Sequence, residues 1–513
     1  MPPEFRTLVA VPTLLTSLAS IEEQIERLEV HFLASLGGEI HFALLTDWTD
    51  AASEHLPVDE DLLAAAREAI ARLNRRYGRA PAGERFLLLH RRRLWCPGEG
   101  RWIGWERKRG KLSELNRLLR GASDTTFIDP PACPPGVRFV ITLDSDTRLP
   151  REAFSRLIGK LAHPLNRPRL DPALGRVVEG YGVLQPRVTP LLPVTSEGSL
   201  FLRVFSSATG IDPYAAAVSD VYQDLFGEGT YTGKGIYDVD AFQAALEGRI
   251  PEAAVLSHDL LEGIYARAGL VSDVEVVEDF PARYDAGALR HHRWARGDWQ
   301  LLPWLLGRGP KGSDTGPRGE VPAMGRWKML DNLRRSLSAP SLVLALVVGW
   351  IAPDGAALVW TGFILATMAL PPLIPVIGEI GRRRPGVPLG AHLRALGSDL
   401  RLAVVQLGLM IVFLADQAAL MGDAILRTLF RLTITRRHLL QWVTAAQAAS
   451  GPQPSVAHFY RRMAGGVLIG VASITATVVA ARTAWPIAMV FAAAWIASPA
   501  VARWASVSRP VSG

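Results

Sequence analysis

Cysteine is scarce. The 513 residues hold two, Cys96 and Cys133, too few for a disulfide framework and not at metal-ligand spacing. Charge is thin as well: 20% of residues are Asp, Glu, Lys or Arg, against 49% hydrophobic, and the mean hydropathy is positive. These proportions exclude a disordered or low-complexity chain and are too apolar for an ordinary soluble enzyme, so part of the chain is expected in lipid. Acidic residues number 49 against 56 Lys and Arg, a net charge of +7. There is no internal repeat and no basic–aromatic patch of the kind that binds single-stranded nucleic acid. The start, Met1-Pro2-Pro3-Glu4-Phe5-Arg6, leads straight into a strand-like run and does not read as a signal peptide.

What is present divides into two parts with different solvents. Residues 1–335 read as a water-soluble α/β region. From Ser341 to Gly378 the only charged residue is Asp354, and from Met463 to Ala502 the only one is Arg482. A single crossing needs about 20 apolar residues. Each stretch therefore reads as a helical hairpin, 336–380 turning at Pro353-Asp354-Gly355 and 463–505 turning near Arg482-Thr483-Ala484. Arg334-Arg335, Arg382-Arg383-Arg384, Arg461-Arg462 and Arg503 flank them, which places those feet, and the soluble region with them, in the cytoplasm. Between the hairpins, 381–462 reads as interfacial helices and a cytoplasmic loop. Its 14-residue apolar run Leu402–Ala415 is short for a crossing, so an interfacial or re-entrant helix fits better. Much of the basic balance lies there, pointing to anionic membrane lipid rather than nucleic acid. Residues 506–513 form a tail.

In the soluble region, strand-like runs at Thr7–Val11, Glu39–Leu45, Phe86–Leu89 and Arg138–Leu143 alternate with helical patterns at Ser20–Leu36, Asp59–Arg75 and Lys111–Arg120. Alternation of this kind argues for a parallel sheet with helices on both faces. Ligands then bind beyond the carboxyl ends of the strands, and the polar residues there are the ones to weigh. Asp144 and Asp146, directly after an apolar strand, offer the oxygen ligands that Mg²⁺ or Mn²⁺ take against a diphosphate; as a bare Asp-x-Asp they serve equally as a turn or helix cap. Lys108-Arg109-Gly110-Lys111 is a basic loop opening a helix, suited to phosphate or simply solvated. Asp47 would accept hydrogen bonds from a uracil or ribose, or cap the next helix. Asp259, after Ser257-His258, is a general base or an N-cap. Arg290 and Arg293 share a helix face and can neutralise a leaving diphosphate, with Trp294 as a platform for a sugar; alternatively this is a basic juxtamembrane helix. Adjacent His291 and His292 point apart and are not read as metal ligands.

The order of these motifs is more telling than any one of them. Asp47, Gly110-Lys111-x4-Asn116, Asp144-x-Asp146, Asp259 and Arg290-x-x-Arg293-Trp294, followed by membrane helices, resemble the processive family 2-type glycosyltransferases of the GT-A fold. His258 and Arg290 stand where those enzymes have Glu and Gln. The longer runs 139–147, 227–237, 256–263 and 436–442 (Arg436 to Trp442) are similar to the glycosyltransferase region of cyclic β-1,2-glucan synthases, over nearly the whole chain. Members of that family are longer, with further membrane helices before this region and a glycoside-phosphorylase-like part after it, which implies a partner segment of that kind.

The resemblance implies a GT-A-like nucleotide-sugar transferase domain followed by an all-α transmembrane region in a bacterial inner membrane. It implies a UDP-glucose donor and a glucan acceptor. Asp259 would then be the base, and Asp144 and Asp146 would hold Mg²⁺ or Mn²⁺. Asp47, Lys111, Gln185, Arg290 and Arg293 would bind the donor beside Asp144. Trp294, with Gly229, Thr232 and Lys234 of a glycine-rich mobile loop, would bind the acceptor.

Overall fold

The computed structural model describes residues 2–35, 38–191, 198–206, 220–309, 320–352, 356–381, 386–441, 455–480 and 483–507. The turn at 353–355, Arg382-Arg383-Arg384, Arg482, Trp442 and most of the 506–513 tail lie outside these residues.

Eight strands form one sheet: β1 (Thr7–Leu15), β2 (Ile40–Trp48), β3 (Phe86–Arg91), β4 (Phe139–Thr142), β5 (Thr147–Arg148), β6 (Val183–Pro190), β7 (Gly235–Asp238) and β8 (Ala268–Glu278). Their order is β3-β2-β1-β4-β7-β6-β8-β5. Strands β1, β2, β3 and β4 run parallel, as do β6 and β8, whereas β7 is antiparallel to both its neighbours and β5 is antiparallel to β8. The sheet is therefore mixed where the sequence pattern predicts a parallel one. The reason is local. Strand β5 follows β4 after a tight turn, with no helix to carry the chain back to the other end of the sheet. Strand β7 likewise enters from the glycine-rich stretch that lies at the carboxyl edge.

Both faces are covered. Val9, Phe42, Leu44, Phe139 and Ile141 pack against α1 (Leu18–Ala34), α2 (Asp59–Tyr77) and α4 (Ala153–Ala162). The alternate residues Leu8, Ala10, Ala43, Leu45 and Val140 pack against α3 (Arg107–Leu118), α5 (Val239–Leu246) and α6 (Asp259–Tyr265). Interior strands wrapped on two sides read as unbroken apolar runs, which is why 139–143 stood out. Phe154 of α4 is fully buried, and truncating such a side chain costs about 3–5 kcal/mol. Helix α1 starts where the Ser17 hydroxyl accepts from the Ser20 amide, satisfying one of the free amides of its first turn.

Helix α7 (Tyr284–Gln300) joins the sheet domain to an all-α region: α8 (Ala323–Ile351), α9 (Ala357–Ile380), α10 (Leu389–Phe430), α11 (Ala464–Ala480) and α12 (Trp485–Ser506). Among the described residues, α8, α9, α12 and the helix from Leu389 to Thr435 are long and apolar enough to cross a membrane; α11 also qualifies when taken with Val456–Arg462, to which it is bent by 67°. A mixed α/β domain followed by membrane-capable helices fits the expected GT-A-like architecture. In the middle segment, 402–415 belongs to a single helix of 42 residues, which is by length and composition a candidate to span. In the sequence the apolar run stops at Asp416. In the fold that carboxylate is buried and accepts from the Tyr284 hydroxyl at 2.6 Å, so the helix passes through it.

Candidate active site at the carboxyl edge of the sheet

Strand β4 ends at Thr142, and the chain turns through Asp144-Ser145-Asp146 into β5, whose Thr147 pairs with Glu278 at the end of β8. That register brings three carboxylates together: ligand oxygens of Asp144, Asp146 and Glu278 all lie within 4.8 Å of one another. Glu278 has no sequence motif around it, and only the sheet pairing reveals it. All three donors are hard carboxylate oxygens, the set that suits Mg²⁺ or Mn²⁺.

Cations already surround the cluster. Lys108 Nζ sits 2.5 Å from Asp144 Oδ1 and 2.7 Å from the Gly233 carbonyl. Lys234 bridges Asp144, at 3.3 Å, and Glu278. Arg290 reaches Glu278 at 3.1 Å, and its guanidinium lies 4.8 Å from the centre of the Trp294 ring, covering one face of it. These charges divide the two aspartates. Burial opposes ionisation of Asp144, but Lys108 and Lys234 outweigh it and hold its carboxyl far below the ordinary range. Asp146 is pushed up instead, by burial first and then by the negative charges of Glu278 and Asp144. Arg293 stands among the same groups: burial and Arg290 lower its pKa, while Asp144, Asp259 and Asp146 act in the opposite sense.

Asp259 opens α6 on the far side of Gly233, whose carbonyl Lys108 holds. Gly233 is what lets it approach: its φ is +85°, and a Cβ added there would stand 2.7 Å from Asp259 Oδ1. Behind Asp259, His258 Nδ1 lies 2.7 Å from Glu262 and 3.5 Å from Asp259. Burial draws the His258 pKa down, but Glu262 and Asp259 prevail and raise it.

The glycine-rich stretch before β7 is pinned rather than loose in this structure. Lys328 of α8 donates to the Gly229 and Glu228 carbonyls at 2.7 and 3.2 Å. The Gln185 amide oxygen accepts from the Thr232 amide and hydroxyl at 2.8 and 3.1 Å, and Lys108 holds Gly233. Gly229 is buried against Leu270, where a Cβ would come within 2.8 Å of the backbone nitrogen. Of the residues assigned to this stretch, Lys234 lies in the acidic cluster, while Thr232 and Gly229 are held by the fold. Gln185 is fully buried and supports Thr232 from beneath.

Asp47 and Lys111 are not with the cluster. Asp47 is sealed at the end of β2, taking both arms of Arg91 at 2.8 and 3.0 Å and Lys111 at 3.2 Å. Arg91 also reaches Glu114 at 2.9 Å. Gly104 covers the Asp47 carboxylate so closely that a Cβ would stand 2.3 Å from it. Lys111 donates to the Thr13 carbonyl and is 4% exposed; burial outweighs Asp47 and brings its pKa down to about 8. Helix α3 starts at Arg107, so the expected basic loop forms its first turns, and Lys108 is the cation of that run which faces the carboxylates.

Helix α7 carries Arg290, Arg293 and Trp294 and is seated on the membrane-capable helices by polar contacts. Gln417 donates to Tyr284, His292 meets Asp423 at 2.8 Å, Trp299 donates to Ser336 at 2.9 Å, and Arg296 donates to the Gln441 carbonyl at 2.9 Å. Its polar residues thus serve protein contacts, and the carboxyl edge of the sheet opens toward the all-α region.

No protein-family model matches the chain. The chain is 49% identical over 510 residues to the cyclic beta-(1,2)-glucan synthase NdvB of Rhizobium meliloti (strain 1021). That likeness covers 99% of this chain and 18% of the length of that protein, so the resemblance read from the motifs runs across nearly all of this sequence and a minor part of its relative.

Proposed function

We propose that this chain is the catalytic part of a membrane-bound inverting glycosyltransferase that moves glucose from UDP-glucose to a growing β-1,2-glucan. One observation carries the reading: Asp144, Asp146 and Glu278 lie together with Lys108, Lys234, Arg290 and Arg293 around them, and Gly233, whose carbonyl Lys108 holds, lies against Asp259. The likeness to a cyclic glucan synthase supports the choice of sugar and linkage. On the same reading the helices from α8 onward sit in a bacterial inner membrane, with the sheet domain on the cytoplasmic side.

UDP-glucose carries an α-linked leaving group, so a β product needs one in-line displacement and one base. Asp259 takes the proton from the attacking hydroxyl. Asp144, Asp146 and Glu278 hold Mg²⁺ or Mn²⁺, which when bound neutralises charge on the diphosphate. Lys108, Arg290 and Arg293 add fixed positive charge as UDP departs. Trp294, partly exposed beneath Arg290, stacks on the acceptor sugar, and the pinned 228–235 stretch lines its path. Asp47 and Lys111 shape the uridine end through the backbone they anchor.

Membranes carrying the chain, incubated with radiolabelled UDP-glucose and Mg²⁺ or Mn²⁺, test this directly. Aqueous label released by a β-1,2-specific glucanase is the expected result. Label that resists the enzyme, or that extracts into organic solvent, replaces this reading with another linkage or a lipid-linked acceptor. No label from folded protein overturns it.

A further inference from the structure

Helix α1 carries a residue that the reaction chemistry leaves unused. Arg27 Nη1 donates to the carbonyl of Ser145, the residue between Asp144 and Asp146, at 3.1 Å. Its Nη2 donates to Asp279, the residue after Glu278, at 3.2 Å, and to Glu23 at 2.8 Å. The second Asp279 oxygen takes Arg148 at 3.2 Å. One turn further along α1, buried His31 lies beside the Thr147 backbone. The outer side of the Asp144–Thr147 turn therefore rests on a single helix face.

We propose that Arg27 is a positioning residue for a divalent-cation site made by Asp144, Asp146 and Glu278. This rests on the metal reading given above. The three carboxylates come from two chain segments, and their mutual repulsion is offset on the inner side by Lys234, which bridges Asp144 and Glu278. The pairing of Thr147 with Glu278 fixes one side. Arg27 fixes the other, joining the turn that carries two ligands to the strand end that carries the third, without touching a ligand oxygen. A planar guanidinium can hold a carbonyl and a carboxylate at once, which an ammonium point charge does poorly. Partners that orient metal ligands from outside are worth about 10–100-fold in metal affinity. As an ion pair alone, the partly exposed Arg27–Asp279 contact contributes little, so stability is the weaker readout.

The test is Mn²⁺ titration followed by electron paramagnetic resonance on the full chain in nanodiscs, with thermal unfolding alongside. Arg27→Ala is expected to raise the Mn²⁺ Kd by about 10–100-fold. Arg27→Lys should fall between it and wild type, and guards against an alanine variant that fails to fold. Arg156→Ala, which breaks an exposed pair with Asp273, should bind as wild type does. Wild-type affinity in Arg27→Ala overturns the proposal alone. A wild-type chain that binds no Mn²⁺ removes the metal reading, and the proposal with it.

Discussion

Two charged clusters sit at the same edge of the same sheet, about as rich in carboxylates and cations as each other, and they are built for opposite ends. The Asp47–Arg91–Lys111–Glu114 group is closed: Asp47 and Lys111 are each 4% exposed at the side chain and every carboxylate meets a guanidinium or ammonium. The Asp144–Asp146–Glu278 group is half-open, with Asp144 35% exposed, and its cations are shared unevenly: lysines and Arg290 pair with Asp144 and Glu278, while Asp146 has no ion pair of its own among the described residues. Their carboxyl groups respond accordingly. Burial works against ionisation of Asp47, yet Arg91 and Lys111 overcome it and its pKa falls. Asp146 is left frustrated and its pKa rises. Fully paired charge at one point of the edge holds the fold, and at the other a carboxylate without its own ion pair, Asp146, marks the place for a ligand.

Breaking the open side should give the largest effect. Asp259→Asn is expected to cut transfer by about 10²–10⁴-fold, the usual value of a positioned base, with thermal unfolding of the solubilised chain unchanged. Full activity in this variant would assign the base elsewhere. Breaking the closed side should act on the fold instead. Asp47→Ala leaves Arg91 and Lys111 buried without their carboxylate, and loss of one partner from a buried pair costs about 3–5 kcal/mol. Thermal unfolding that matches wild type would show that Asp47 contributes through the donor alone.

These clusters also mark how far the sequence could be read. Asp144, Asp146, Asp259, Arg290 and Arg293 are visible because each lies in a short polar motif after an apolar strand or at a helix start, and the fold brings them to one cleft. Glu278 was invisible: it closes an alternating strand with no motif, and only the pairing of Glu278 with Thr147 shows where it goes. Asp47 and Lys111 read as donor-binding residues, and their contacts with Arg91, with each other and with the Thr13 carbonyl join positions distant in sequence that carry no signature. Lys328 was hidden in the same way, at the foot of a helix read only for its hydrophobicity. Strand β7 reversed direction because connection length, not strand composition, sets direction.

Acid should separate the two clusters without mutation. Asp146 has its folded pKa above the ordinary 3.8, so between neutrality and that value the folded chain takes up a proton there. Ligand carboxylates must be ionised, so Mn²⁺ affinity should fall as pH is lowered through that range. Asp47 has a depressed folded pKa, so its contribution is present above 3.8 and is lost only as pH falls further, through its folded value. Mild acid is therefore expected to weaken metal binding while thermal unfolding holds or rises slightly, because protonated Asp146 no longer costs the fold. Binding and unfolding that decline together would erase the distinction.

The smallest effect is the sharpest test of it, because its sign is opposite on the two sides. Asp146 ionised at neutral pH is an unfavourable buried charge in the folded chain, costing stability that returns as the carboxyl protonates. Asp146→Asn removes that charge with almost no change of shape. It should abolish transfer yet raise stability by about 0.5–2 kcal/mol, the range seen when a strained functional residue is relieved. Asp47→Asn must do the reverse and lower stability, since its charge is matched by Arg91 at 2.8 Å and Lys111 at 3.2 Å. If Asp146→Asn instead destabilised the chain, the lysines around the open cluster would be holding the fold as Arg91 does, and the acidic triad would be architecture rather than a site.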